Sequence, residues 1–227
     1  AALVVDAYGS IIDNGREAES GLLLSRRTPP SVVFRHVKPS VAIAGLPRGD
    51  RLVLPASLHG IGEIYHVVTM ALGFRQPGTY YDDAGKTMGL APYGRRLSTE
   101  PGMIRPTDNG LDFSNALPFL ASLNLVSIER GERFLNTRAP QTPLSALHRD
   151  LAAQVQWELE EACVHLAKRL RRDSGCGTLV LAGGTFLNSV TNTRIVREAG
   201  FKDVYVFPAA TDDGTAVGAA YYADASI

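Results

Sequence analysis

The stretch Thr178-Leu179-Val180-Leu181-Ala182-Gly183-Gly184 decides the fold. An almost wholly apolar run this short is the pattern of a strand buried on both faces of a sheet, and the paired glycines end it. Before it, Thr142-Pro143 is expected to start a long helix, with Thr as cap and Pro at the first helical position. Leu147, Leu151, Val155, Leu159, Ala162, Leu166 and Leu170 form its apolar stripe. The opposite side carries Glu158, Glu161, Lys168 and Arg169, and Asp173-Ser174-Gly175 stops it. After the run come a short helix, a strand at Asp203–Phe207, and Thr211-Asp212-Asp213-Gly214 opening a last helix of small residues.

The N-terminal part reads as three meandering strands, Ala1–Val5, Gly21–Ser25 and Ser31–Val37. A helix follows with Ile61, Ile64, Tyr65, Val68 and Leu72 spaced by three or four, capped by Gly73 with Phe74 as hydrophobic partner. Residues 75–141 show no sustained period and read as an insertion, partly loop. Meander followed by helices alternating with strands predicts an α/β domain, a mixed sheet with helices on both faces.

The 227 residues carry 23 Lys+Arg and 23 Asp+Glu, a formal net charge of zero, with 45% hydrophobic and 20% charged residues. That composition excludes a disordered chain and a nucleic-acid binder relying on bulk electrostatics. No run reaches the roughly 18 apolar residues of a membrane helix. Neither nucleic acid nor membrane is therefore expected as a partner. Cys163 and Cys176 lie far from any metal-ligand spacing and read as reduced thiols of a cytoplasmic protein. The chain has no initiator Met and opens inside a strand, so residue 1 reads as a cut in a longer polypeptide.

Three places join a strand end, glycines and polar side chains. Asp6 follows Leu3-Val4-Val5 and enters a turn containing Gly9; a carboxylate there needs a partner or a job. Gly183-Gly184 ends the later strand, with Asn188 soon after. Asp212-Asp213-Gly214 precedes the final helix. Ligands gather where strands end and helices begin in open α/β sheets, and helix N-terminal amides favour anions. The bland alternatives are a plain helix cap for Asp212 and a tight turn for Gly183-Gly184. The order of these three features is that of the actin-like ATPase and sugar-kinase folds, in which two such domains face each other across a nucleotide.

The wording of the blocks narrows the match. Leu3-Val4-Val5-Asp6-Ala7-Tyr8-Gly9 comes first, then Leu58-His59-Gly60-Ile61-Gly62-Glu63-Ile64-Tyr65. Gly85-Lys86-Thr87-Met88-Gly89-Leu90-Ala91-Pro92-Tyr93-Gly94 and Ala182-Gly183-Gly184-Thr185-Phe186-Leu187-Asn188-Ser189 follow. Last comes Pro208-Ala209-Ala210-Thr211-Asp212-Asp213-Gly214-Thr215-Ala216-Val217-Gly218-Ala219-Ala220. Over nearly the whole chain these resemble the O-carbamoyltransferases that modify nodulation factors and antibiotics.

That resemblance implies the second actin-like (ribonuclease H-like) domain of a carbamoyl-transfer part, formed by residues 1–74 and 142–227 around the 75–141 insertion. In the family a C-terminal domain makes carbamoyl-adenylate from carbamoyl phosphate and ATP. The actin-like part binds the adenylate with a divalent metal and passes the carbamoyl group to a hydroxyl of a small-molecule acceptor. The implied metal ligands here are Asp6 and Asp212, with iron or magnesium as the ion. Gly183, Gly184, Asn188 and Gly214 are implied to bind the nucleotide. His59 and Lys86 fall in family blocks as candidate catalytic residues, although a packed or capping His and a solvated loop Lys are the alternatives.

There are departures. The family's HxxxH helix is missing, since no two of the five histidines are four apart. Ala7 stands where the family usually has Gly, and Ser10 where it often has Glu. The first actin-like domain and the adenylate-forming domain are also missing, so the rest of its own polypeptide is an expected partner, and the chain alone is expected to be inactive. A homodimer is left open. The competing readings are a threonylcarbamoyl transferase acting on tRNA, and a non-catalytic nucleotide-binding scaffold.

Overall fold

A computed structural model describes residues 1–25, 27–39, 42–49, 51–75 and 82–224. In chain order the elements begin with β1 (Ala2–Val5), β2 (Ile11–Ile12), β3 (Gly15–Leu23), β4 (Ser31–Lys38), β5 (Leu46–Arg48) and β6 (Arg51–Leu54). Then come α1 (Ile61–Ala71), α2 (Ala84–Leu90), β7 (Arg105–Thr107), β8 (Gly110–Asp112), α3 (Ala116–Ser122), β9 (Val126–Glu129) and β10 (Glu132–Leu135). The last are α4 (Ala146–Ser174), β11 (Thr178–Ala182), α5 (Ser189–Glu198), β12 (Asp203–Val206) and α6 (Gly214–Asp224).

The main sheet has the order β12-β11-β1-β3, with β2 and β4 also paired to β3. β11 runs parallel to both β1 and β12, whereas β3 is antiparallel to β1 and β4. The chain is thus a mixed α/β structure. Leu3 and Val5 of β1 and Leu179 and Leu181 of β11 alternate onto the core face. There they meet Ile61, Ile64 and Val68 of α1 and Leu151, Val155 and Leu159 of α4. Each such side chain, fully buried, stabilises the fold by about 1.5–3 kcal/mol.

Helices were expected on both faces of the sheet. Instead α4 packs against both α1 and α5 and reaches β1, β3 and β4, so these three helices form one layer. None of the α6 residues is buried. Its sequence, small residues interleaved with Val217, Tyr221 and Tyr222, has no apolar side to direct it onto the sheet.

Both expected helix ends are present. At Gly73 (φ 76°) the Gly73 N–H reaches the Met70 carbonyl and the Phe74 N–H reaches Thr69, the paired bonds of a left-handed glycine cap. α4 ends at Gly175, φ 68°. Its start differs from the sequence reading. Ser145, not Thr142, is the cap, its side chain accepting the His148 N–H while His148 Nδ1 accepts the Ser145 N–H at 2.9 Å. Thr142 belongs to the preceding turn, donating to Ala139.

Within the 75–141 segment, residues 82–141 carry more regular structure than the lack of period suggested. β9 and β10 complete a four-stranded sheet with β5 and β6, in the order β5-β6-β10-β9. The segment after α2 lies along α4. Asp150 accepts the Arg95 N–H at 2.8 Å and Gln154 the Ser98 N–H at 3.1 Å. Glu158 accepts those of Gly102, Met103 and Ile104 at 2.8, 2.7 and 2.7 Å. These three acceptors are four residues apart and so share one helix face. Glu158, read from sequence as lying opposite the apolar stripe, is fully buried because an irregular segment lies over it and directs backbone donors at its carboxylate. Among the described residues no helix is long and apolar enough to cross a membrane.

Two outcomes follow from this packing. Glu158→Leu strands three backbone donors and should lower unfolding free energy by at least about 3 kcal/mol; an unchanged urea midpoint would refute the ladder. His165 is held below the usual histidine range by burial, then by the nearby Arg169, Arg172 and Lys168 charges, and its Nε2 is buried without a partner. The unfolded chain therefore binds this proton more readily than the native one. Stability should fall as pH drops below about 6.5, and His165→Leu should flatten that fall in a series of thermal melts.

Candidate active site

Asp6 owes its position to a bulge. β1 pairs with β3 as far as Val5 opposite Glu19, and the Asp6 N–H still donates to Ala18 at 2.9 Å. Pairing resumes with the Gly9 N–H on Glu17 at 3.1 Å, so Ala7 and Tyr8 are looped out. The Asp6 carboxylate turns back to accept the Ala7 N–H at 2.7 Å. Gly62, in the first turn of α1, fits against this bulge; a Cβ there would lie 2.6 Å from the Ala7 nitrogen.

The end of β11 closes on the same place. Gly183 has φ 98°, and a Cβ on it would lie 2.2 Å from the Val5 carbonyl oxygen. No other residue fits that position without moving a strand. Gly184 follows, its would-be Cβ 3.7 Å from Asp6 Oδ1.

Between these turns lies a cavity of about 740 Å³. Asp6, Ala7 and Tyr8 form one wall and Gly184, Thr185 and Asn188 another, with Asp212 contributed by the turn after β12. Tyr65 and His66 of α1 line its side, and Asp82, Asp83 and Gly85 complete it at the start of α2. The structure therefore brings together Asp6, Gly184, Asn188 and Asp212 from separate strand ends.

The other expected residues stand differently. Gly183 lies behind the wall as the close-approach residue. Gly214 begins α6, where a Cβ would lie 2.3 Å from the Ala209 carbonyl oxygen. Neither His59 nor Lys86 lines the cavity. His59 Nε2 contacts Ser57 Oγ at 2.6 Å, its N–H donates to Glu63 at 2.9 Å, and burial lowers its pKa. Lys86 is 62% exposed and pairs with Asp83 at 2.8 Å. Asn188 caps α5, accepting the Thr191 N–H at 3.1 Å, and its amide donates to Gln156 at 2.9 Å. The Asp212 carbonyl, not its side chain, accepts the Thr215 N–H and hydroxyl at 3.0 and 2.6 Å, and the residue is exposed on the cavity wall.

Sequence reading missed Tyr8, Tyr65, His66 and Asp82. Tyr8 exchanges hydrogen bonds with Ala44, its hydroxyl accepting the Ala44 N–H at 3.1 Å. Burial pushes its phenol up, reinforced by Glu63 and Asp82. Tyr65 donates to Gln156 at 2.9 Å; burial, then Asp82 and Glu160, raise it likewise. His66 lies on a helix buried at every residue except Gly62, where an imidazole needs polar partners, and that was the available signal. Behind Tyr8, Lys38 Nζ lies 4.3 Å from its ring centroid and 2.7 Å from Glu63 Oε1. Lys38 and Glu63 are each 2% exposed, so each charge depends on the other.

Carboxylates and glycines on facing turns at strand ends therefore line one cavity. The family model for the carbamoyltransferase N-terminus matches residues 31–221, and the chain belongs to that family. It is 32% identical to the nodulation protein NolNO of Sinorhizobium fredii over 92% of this chain and 27% of that protein. It is 34% identical to the nodulation protein NolO of Bradyrhizobium diazoefficiens over 61% of this chain and 24% of that one. An uncharacterized protein of Synechocystis is 34% identical over 71% of this chain and 27% of its own length. The chain thus spans about a quarter of the length of these relatives.

The buried pair behind the bulge is testable by a double-mutant cycle. Lys38→Met alone should destabilise by about 3–5 kcal/mol because Glu63 is left uncompensated. Adding Glu63→Gln should recover part of that loss in denaturant unfolding, whereas simple additivity would show that the two charges are independent.

Proposed function

We propose that this chain is one wall of a carbamoyl-transfer site, built as the second actin-like domain of a longer O-carbamoyltransferase. The donor in this reading is carbamoyl-adenylate, made from carbamoyl phosphate and ATP by another part of the protein. The acceptor is a hydroxyl of a small natural product or sugar. The observation that supports it is the convergence of Asp6, Gly184 and Asp212 on one cavity at the carboxyl ends of parallel strands, in a chain of the carbamoyltransferase family.

The residues fit a divalent cation in part. Among the described residues no group of three or more His, Cys, Asp or Glu side chains could hold an ion. Asp6 and Asp212 on one cavity do suit a hard cation that takes its remaining ligands from phosphate oxygens and from elsewhere. When bound, such an ion would supply Lewis-acid polarisation of the carbamoyl carbonyl.

The chain's own residues do the rest by placement. Gly184 leaves the wall beside Asp6 without a side chain, so a ribose or phosphate can approach the backbone. Gly183 and Gly62 hold their neighbours against the Asp6 turn at close backbone approach, which keeps the Asp6 carboxylate fixed beside Gly184. An acyl phosphate has a good leaving group, so holding the carbonyl near the acceptor and neutralising developing charge are the main requirements.

The test is carbamoyl transfer from carbamoyl phosphate plus ATP by the protein as its gene encodes it. Asp6→Ala and Asp212→Ala should each lower turnover by about 100-fold or more, with far-UV circular dichroism unchanged. Full turnover in both variants would overturn the ligand assignment.

A further inference from the structure

Transfer to a hydroxyl requires that its proton leave, and Asp82 is a cavity-lining carboxylate held in place by its neighbours. The Asp82 backbone is fixed by a β-bridge to Arg75, and the next N–H, of Asp83, donates to Phe74 at 2.9 Å. The Asp82 side chain is 17% exposed, lines the cavity, and places Oδ2 2.9 Å from His66 Nδ1. His66 is itself clamped. Its Nε2 lies 3.3 Å from the Ala44 carbonyl oxygen, and its ring stands edge-on to Tyr8 with centroids 5.6 Å apart. An imidazole with an oxygen at each nitrogen has no free lone pair for the acceptor, but it holds the carboxylate beside it in one orientation.

The other candidates on the wall are committed elsewhere. Asp6 and Asp212 are the cation ligands of the proposed function. Asp83, also on the wall, is paired with the exposed Lys86, and His59 and Lys86 do not line the cavity.

We infer that Asp82 is the general base for the acceptor hydroxyl and that His66 is its positioning residue, an inference that rests on the carbamoyl-transfer reading above. The acceptor O–H proton passes to the Asp82 carboxylate as the acceptor oxygen bonds to the carbamoyl carbon. The bond from that carbon to the phosphate oxygen breaks, AMP departs with the electron pair, and Asp82 returns its proton to solvent.

The experiment uses the protein as encoded, supplied with carbamoyl-adenylate and either ethylene glycol as surrogate hydroxyl acceptor or hydroxylamine, a nucleophile that attacks without prior proton removal. Asp82→Asn should lower kcat for the glycol by about 100-fold or more, with its KM within about threefold of wild type, and should leave carbamoylation of hydroxylamine near the wild-type rate. Asp82→Glu should restore part of the glycol activity. His66→Gln should lower kcat for the glycol about tenfold and spare hydroxylamine. Equal glycol rates in Asp82→Asn and wild type would overturn the inference and leave the functional reading intact. Equal loss with both nucleophiles would also overturn it, marking Asp82 as structural. A wild-type protein that transfers to neither nucleophile would overturn the functional reading itself.

Discussion

The candidate site depends on the parallel pairing of β1 with β11, in which Leu3 lies opposite Leu181 and Val4 opposite Ala182. Because the strands run the same way in this register, they end at the same level. Asp6 is then the first residue past one strand and Gly183 the first past the other. The backbones approach so closely that Gly183 cannot carry a Cβ beside the Val5 carbonyl oxygen. Gly62 imposes the same closeness from the α1 side. These two contacts fix the distance between turns that belong to different parts of the chain, and the cavity is what remains between them.

Around that constraint the interior holds several buried charged side chains, each with a partner. Glu158 closes the 95–104 segment onto α4, and Lys38 with Glu63 stands behind Tyr8. Glu19, buried beneath the α1 start, accepts the Ile61 N–H at 2.7 Å and contacts His36. Arg194 ties α5 to Glu161 of α4 at 2.8 Å. Among the described residues the buried side-chain atoms without a partner are His165 Nε2, Thr191 Oγ1 and Asn192 Oδ1. Satisfied buried networks are rigid because each lost partner is costly. The wall bearing Asp6, Tyr8 and His66 is accordingly set by charge pairing as much as by apolar packing.

What the sequence revealed follows from where the information lies. The strand at Thr178–Ala182, the stripes of α1 and α4 and the glycine caps are local patterns, and all are present. Within the α4 stripe only Leu147, at 39% exposure, is left outside the core. The four-stranded sheet was not legible, because its short strands pair residues 46–54 with 126–135, and no local period records such a partnership. Asp6, Gly184 and Asp212 could be read because strand ends are visible in sequence. His66 and Asp82 could not, since one sits inside a buried helix and the other in a segment without period, and only tertiary structure brings them to 2.9 Å. Lys86 and His59 show the converse: residues in family-like blocks need not face the cavity those blocks build.

In the proposed function the β1, β11 and β12 turns together receive the nucleotide and its cation. The most direct measurement is the anomalous diffraction of Mn²⁺ in crystals of the protein as encoded, grown with an adenylate analogue. The expected result is a manganese peak bound by both Asp6 and Asp212, with the analogue's phosphate beside Gly184. An analogue seated elsewhere, for instance in the smaller cavity of about 220 Å³ near Arg35 and Arg169, with no manganese at either aspartate, would contradict it.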